Sequence, residues 1–383
     1  MATETALDTW GRPRGRRVVA YVAARRTIFG WWAGSRAVVL ACALVVHWIG
    51  RPYGYFGASA FRRPLGLLGQ WDGHWYRAVA AHGYLLVPGR QSDPAFFPFF
   101  PILLHLVHGA GLSYLTAGLL IANVAFLPAL LALRELVGAF VPTADADRAA
   151  RYAAVAPAGF VFSMIYPESL VLAAVALAGW LALKRRWGLC AIAGAIAALA
   201  RPEGALVAIP TAAAAWSSWR ESGPAGRGGS VGAALAPLAS VASFPLYLHW
   251  SLGDATAWQR SEQAWGRTFT TVGVLRALRG LRNVGQQPWL ARDAAFFVLY
   301  VVLLLAAWRL GIPAAWLVFG ALILLLPLGS GAFTSEMRFG LLAVPVYCGL
   351  AAFGRNRRLD RLLQAGMLVL LAAGTATIPL AFP

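Results

Sequence analysis

Gln70-Trp71-Asp72-Gly73-His74-Trp75-Tyr76, continuing to His82-Gly83-Tyr84, sets a carboxylate, two histidines and several aromatics in a short polar interval between apolar segments. The chain has only 15 Asp and Glu among 383 residues. Asp72 is the catalytic candidate, because an ionised carboxylate within hydrogen-bond reach can take the proton of an attacking hydroxyl. The alternative is an N-cap for a helix opening at Gly73-His74-Trp75, a place where Asp is preferred. His74, two residues on, either shares that proton or points elsewhere.

Outward from this interval the chain is apolar. It is 59% hydrophobic and 13% charged, with mean hydropathy +0.63. A soluble globular protein of this size could not cover so much apolar surface with so few charges. The composition predicts an all-α polytopic membrane protein, its residues 1–383 forming one membrane domain built from spans of about 20 residues. Residues 1–27 read as a cytoplasmic tail and 28–50 as the first span. Residues 51–95 form the first extracytoplasmic loop, broken by Pro52, Pro64, Pro88 and Pro94. Short interfacial helices suit Phe61 to Leu68 and Trp71 to Ala81. The run Ala95-Phe96-Phe97-Pro98-Phe99-Phe100-Pro101 suits a re-entrant or interfacial piece, and whether 95–110 crosses is left open.

Further spans are expected at 112–139, 150–165, 168–183, 187–201, 204–219, 231–250, 293–309, 313–330, 339–353 and 361–380, making about eleven in all. A second long extracytoplasmic loop covers 251–292. The net charge of +18 comes almost wholly from arginine, Lys184 being the single lysine. These arginines sit mainly at segment ends, which fits topology and headgroup contact and makes nucleic acid an unexpected partner. The charge pattern places the N-terminus in the cytoplasm. Arg25-Arg26 loosely resembles a twin-arginine signal, but no small-residue cleavage site closes the apolar run, so an uncleaved first helix is expected. Cys42, Cys190 and Cys348 lack CxxC spacing and suggest neither disulfides nor a thiolate metal site.

Under this topology five polar motifs reach one face of the membrane. They are Trp71-Asp72 with His74 and Tyr76; Tyr166-Pro167-Glu168-Ser169; Arg201-Pro202-Glu203-Gly204; Gly253-Asp254 through Trp265-Gly266-Arg267; and Ser335-Glu336-Met337-Arg338-Phe339. Taken singly, Glu168 and Glu203 could be helix-end devices, since each follows a proline suited to a first helical turn, where a carboxylate is stabilised. Charge at membrane depth is costly, so several charged residues on one side favour a shared polar cavity. Arg201, Arg267 and Arg338 are candidates for binding the phosphate of a lipid-linked donor, against the alternative of snorkelling to lipid headgroups. His74, Tyr76, Glu168, Glu203 and Asp254 are further substrate-site candidates.

His105-x-x-His108 has the spacing to share a metal, but the sequence offers no third ligand, and neither a metal nor another cofactor is expected to be required. A Gly-rich phosphate loop of known pattern and an HExxH motif are both missing from the sequence. Substrates are therefore expected to arrive through the membrane.

The ordered motifs resemble the PIG-V family, the second mannosyltransferase of glycosylphosphatidylinositol assembly, and its bacterial membrane relatives. The resemblance runs through Trp71-Asp72 with Tyr76, His82-Gly83-Tyr84, the 96–101 Phe-Pro run, Tyr166-Pro167-Glu168-Ser169-Leu170, Arg201-Pro202-Glu203-Gly204, Gly253-Asp254 with Ala264-Trp265-Gly266-Arg267, and Met337-Arg338-Phe339 leading to Val344-Pro345-Val346-Tyr347. It implies a GT-C glycosyltransferase in a bacterial plasma membrane, inverting the anomeric centre of a polyprenyl-phosphate mannose on the extracytoplasmic face. By motif position it makes Asp72 the general base. The acceptor it implies is an extracytoplasmic glycan or glycolipid. The rival reading is a non-catalytic transporter or flippase of a lipid-linked sugar, which should show internal repeats and polar groups near mid-membrane.

Overall fold

The structure is a computed structural model and describes residues 14–50, 54, 58–331 and 333–380. The polar tail up to residue 13 and Pro52 lie outside the described residues, and the chain is already helical from Arg14. Seventeen α-helices follow among the described residues: α1 (Arg14–Ile49), α2 (Ala58–Arg62), α3 (Asp72–His82), α4 (Phe99–Gly109), α5 (Tyr114–Val137), α6 (Thr143–Ala154), α7 (Glu168–Leu183), α8 (Trp187–Ala200), α9 (Ala208–Ser218), α10 (Pro224–Leu252), α11 (Ala257–Ala264), α12 (Gly273–Gly280), α13 (Trp289–Arg309), α14 (Ala314–Gly329), α15 (Glu336–Phe339), α16 (Val344–Phe353) and α17 (Arg357–Ala376).

Five of these contain stretches long and apolar enough to cross a bilayer: Arg25–Ile49, Tyr114–Val137, Pro224–Leu252, Trp289–Arg309 and Arg357–Ala376. A sixth arises if Glu336–Leu342 and Val344–Phe353, bent by 90°, count as one broken span. The protein is thus a multi-pass, all-helical membrane protein. The eleven expected spans are not all of this kind. Those at 168–183, 187–201 and 313–330 are shorter apolar helices, and 204–219 opens with a 3₁₀ turn ahead of the 11-residue α9.

The segment 150–165 is a correction. Helix α6 stops at Ala154, and the chain then runs irregularly through a 3₁₀ turn, Gly159–Ser163, before Glu168 opens α7. Hydropathy alone made this stretch read as a span, although Pro157 and Gly159 already argue against a continuous helix. Broken backbone at membrane depth persists only when protein satisfies it. Arg36 of α1 does so: its Nη1 donates to Gly159 O at 3.0 Å and Ser163 Oγ at 2.9 Å, and its Nη2 to Ala154 O at 3.3 Å. The Phe126 ring lies 4.5 Å from that guanidinium.

In the first loop, Ala58–Arg62, a 3₁₀ turn at Gly66–Gly69 and α3 supply the short helical pieces expected there. Helix α4 has 11 residues, so it reaches about 16 Å, roughly half of a hydrocarbon core.

Helices α5 and α7 run in parallel, since Gly118 meets Ile165 at one end while Leu136 meets Gly179 at the other. Polar networks mark both ends. At the far end Arg25 pairs with Glu135 (2.5 Å), Arg134 with Asp147 (2.9 Å), Arg355 with Asp145 (2.7 Å) and Tyr152 with Asp360 (2.7 Å). The near end, about 36 Å away along the 24-residue α5, holds the candidate site.

Candidate functional site

Residue Trp71 makes the turn that aims Asp72. Its φ of 56° is unusual for a bulky residue, and its indole Nε1–H donates to Ile378 O at 2.9 Å, fixing the turn against the end of α17. Asp72 is then the first residue of α3. Trp71 holds the capping position, and its side chain makes no capping bond. The Asp72 carboxylate points inward instead and is 5% exposed. Its Oδ2 accepts from Arg338 Nη1 at 2.6 Å, while its backbone N–H donates to Tyr166 Oη at 3.3 Å.

Arg338 arrives on the short helix α15, which is braced from α13. Asp293 accepts from the backbone N–H groups of Ser335 and Met337, both at 3.3 Å, and Tyr300 Oη–H donates to Met337 O at 2.7 Å. Gly340 makes this packing possible, because any Cβ there would sit 2.0 Å from the Tyr300 ring.

Two further motifs join the same network. Glu168, fully buried at the start of α7, accepts from Arg201 Nη1 at 2.5 Å and lies 3.6 Å from Arg338 Nη1. Arg201 also grips Glu203 with both edges, Nε to Oε2 at 3.1 Å and Nη2 to Oε1 at 3.2 Å. The Phe339 ring lies 4.7 Å from the Arg201 guanidinium and 5.8 Å from that of Arg338. Burial works against charge on Arg201, but Glu203 and Glu168 outweigh it and hold the guanidinium well above its ordinary range. Burial likewise raises Glu203, and Arg201 more than reverses this, so its carboxyl titrates below the usual range. Three carboxylates therefore surround two arginines in a closed pocket, where each ion depends on its partners for solvation.

Beside this network opens a cavity of about 360 Å³, reached from Glu203 and Phe339 and lined mostly by apolar side chains such as Leu206, Val241, Phe269 and Leu326. Besides Glu203, its charged lining is Arg267 and Glu262, which pair at 3.3 Å. Burial raises the Glu262 carboxyl, with Arg267 opposing. Trp265 meets Trp75 edge-on at 5.3 Å and Phe96 at 5.7 Å, and its indole donates to Ser92 O at 3.2 Å, which ties the second long loop to the first.

Four of the five motifs thus meet directly, and the fifth reaches the site through Trp265 and Arg267. Tyr76 is buried against Phe96 and Phe100, with its hydroxyl in the field of Arg201, Glu168, Asp72 and Arg338. Asp254 accepts from Thr256 and pairs with Arg260 at 2.8 Å, a local turn that makes no bond to the network. His74 leaves the site, as residues two apart on a helix face apart. His105 and His108 bind different carbonyls, of Ala80 and Leu112, and no three His, Cys, Asp or Glu among the described residues gather as a metal would require. The sequence reading missed Asp293 as a positioning residue. Its signal was available, namely a carboxylate in the first turns of an apolar helix.

The sequence matches no protein-family model and no curated protein. Among solved structures, the crystal structure of the Archaeoglobus fulgidus oligosaccharyltransferase in complex with Zn and sulfate superposes with a TM-score of 0.50 at 15% identity, over 90% of this chain and 53% of that one. The apo form of the same protein gives 0.51 at 14% identity, over 91% and 56%. The chain spans little more than half the length of the archaeal protein. The resemblance to the PIG-V family rests on the sequence motifs alone, and what the superpositions show is a helical fold shared with the archaeal protein.

Proposed function

We propose that the chain is a metal-independent, inverting glycosyltransferase that moves a mannosyl residue from polyprenyl-phosphate mannose to an extracytoplasmic glycan or glycolipid. The observation that carries this reading is the buried Asp72 carboxylate. Arg338 holds its Oδ2, while its Oδ1 has no hydrogen bond among the described residues. An acceptor hydroxyl at Oδ1 gives up its proton as its oxygen bonds to the sugar C1 and the C1–O bond to phosphate breaks. Attack opposite the leaving group inverts the centre. Polyprenyl phosphate departs as a stable anion, so one carboxylate suffices where glycosidases use two.

The three outer arginines divide the remaining work. Arg201 and Arg338 are committed to carboxylates and chiefly fix the geometry of the base. Arg267, in the apolar cavity with a longer pairing, meets the donor phosphate, and the lipid tail runs between helices beside Leu206 and Leu326. In this reading the network end of the bundle faces the outside and the Arg25–Glu135 end faces the cytoplasm of a bacterial plasma membrane.

The test is transfer of labelled mannose from polyprenyl-phosphate mannose to membrane acceptors, comparing wild type with Asp72→Asn in equal, folded amounts. Loss of product in the variant supports the reading. Transfer by the variant at the wild-type rate removes Asp72 as base.

A further inference from the structure

Helix α3 carries chemistry on both faces. One face presents Asp72 and Tyr76 to the bundle. The opposite face, His74, Arg77 and His82, lines a separate pocket of about 560 Å³ that Arg63, His108 and Tyr114 complete. Among the described residues every charged or titratable side chain facing this pocket is cationic, imidazole or phenol, and no Asp or Glu lines it.

This absence sets the pocket apart from the rest of the molecule. Elsewhere Arg25, Arg134, Arg148, Arg201, Arg267 and Arg338 meet carboxylates, while the buried Arg36 is enclosed by carbonyls and Ser163. The Arg63 side chain makes no hydrogen bond or ion pair among the described residues, although it lies close enough to Arg77 for their charges to repel. Arg77 is held in place by backbone alone, its Nε–H donating to Gly73 O at 3.0 Å and its Nη2–H to Gly69 O at 2.8 Å. Those bonds leave Nη1 uncommitted and pin the guanidinium plane.

The His108 ring is fixed too, stacked on Tyr114 at 3.8 Å, with Nδ1 2.6 Å from Leu112 O. A carbonyl only accepts, so Nδ1 carries the proton and the orientation of the ring is set. Fixed like charges without a counter-charge are unfavourable unless an anion completes them.

We propose that this pocket is a phosphate-binding site, separate from the Asp72 site, and that its occupant is the phosphodiester of an anionic lipid headgroup. Guanidinium is the group best matched to phosphate oxygens, and Arg63 with Arg77 offers two. The lipid source follows from the pocket's place at the start of α5, a helix long and apolar enough to cross a bilayer, whose Tyr114 and Leu115 line the pocket and whose Leu120 and Val124 are exposed apolar side chains further along. The imidazoles of His74, His82 and His108 face the pocket alongside the Arg63 and Arg77 guanidiniums and the Tyr114 phenol. Burial and then Arg77 hold the His74 imidazole below its ordinary range, so its contribution comes at the acidic end.

The experiment measures binding by the full chain in a non-ionic detergent micelle, and its readout is independent of sugar transfer. Short-chain phosphatidylglycerol and inorganic phosphate are titrated separately by calorimetry. We expect saturable binding of the lipid, about tenfold weaker for Arg63→Ala, whose side chain is exposed and makes no internal bond, and tighter at pH 5.5 than at 7.5. His82→Ala, also on the surface, should weaken binding several-fold. If inorganic phosphate binds as tightly and with the same Arg63 dependence, the phosphate site stands and the lipid source is overturned. Binding of neither probe, or binding that Arg63→Ala leaves unchanged, overturns the proposal.

Discussion

Arg338 Nη1 donates to Asp72 Oδ2 at 2.6 Å across 266 positions of sequence, joining the first residue of α3 to the short helix ahead of α16. Both side chains are nearly inaccessible, at 2% and 7%. Removing one partner of such a pair strands the other without water. Arg338→Ala should therefore destabilise the protein by about 3–5 kcal/mol. In thermal unfolding, the double variant Asp72→Asn with Arg338→Met should lose less than the sum of its single changes. An additive result would mean that the pair is not coupled.

Asp72→Asn keeps the shape of the side chain and removes its basicity. Transfer of mannose should fall by about 10²–10⁴, the usual contribution of a general base. Asp147→Asn, at the opposite end of the bundle and half-exposed, should leave transfer within about twofold. Equal losses in both variants would point to a general fault of folding.

Gly204 lets the Arg201-Pro202-Glu203 turn fold back on α8. A Cβ there would lie 2.1 Å from Ala197 O, which is backbone and cannot move aside. Gly204→Ala should cost about 1–3 kcal/mol and reduce transfer by displacing Arg201 and Glu203. Gly188→Ala, on the same helix with nothing within 4 Å of the new methyl group, should change stability by less than about 1 kcal/mol. Melting temperatures of the two variants decide the matter.

The Asp93 carboxyl is pushed up to about 6 by burial, with backbone donors, Leu85 N–H first, opposing. Its folded value lies above the 3.8 of an ordinary Asp, so between these limits the folded state binds more protons than the unfolded one. Asp93 thus favours folding most below about pH 4, and this contribution is lost as pH rises through about 6. Asp93→Asn should flatten the decline of melting temperature over that window. An unchanged slope would assign the decline to other groups.

Much of the site is legible in the sequence. Asp72, Glu168, Arg201, Glu203 and Arg338 stand at segment ends, and a count of spans brings their motifs to one face without any knowledge of packing. What the count cannot convey is pairing. The sequence does not say that Arg201 would divide itself between two glutamates, or that Asp293, 45 positions before Arg338 in the chain, would hold the turn that aims it. His74 was a candidate because it is near Asp72 in sequence. The helix rotates it to the other side. The failure at 150–165 has a different cause, since hydropathy measures transfer of side chains and ignores backbone groups, which here are satisfied by Arg36 from a remote helix.

That contact of Arg36 with Gly159 O, 123 positions away, bears on how the protein is made. The irregular stretch after α6 cannot rest in lipid until Arg36 reaches its carbonyls. At about 5–20 residues per second, translation needs roughly 6–25 s to get from one to the other. Until then α1 can meet α5 through Glu135 and Phe126, but the Arg36 guanidinium lacks its Gly159 and Ser163 partners. One side chain thereby ties the first helix to a stretch made more than a hundred residues later, and the two halves of that contact wait on each other during synthesis.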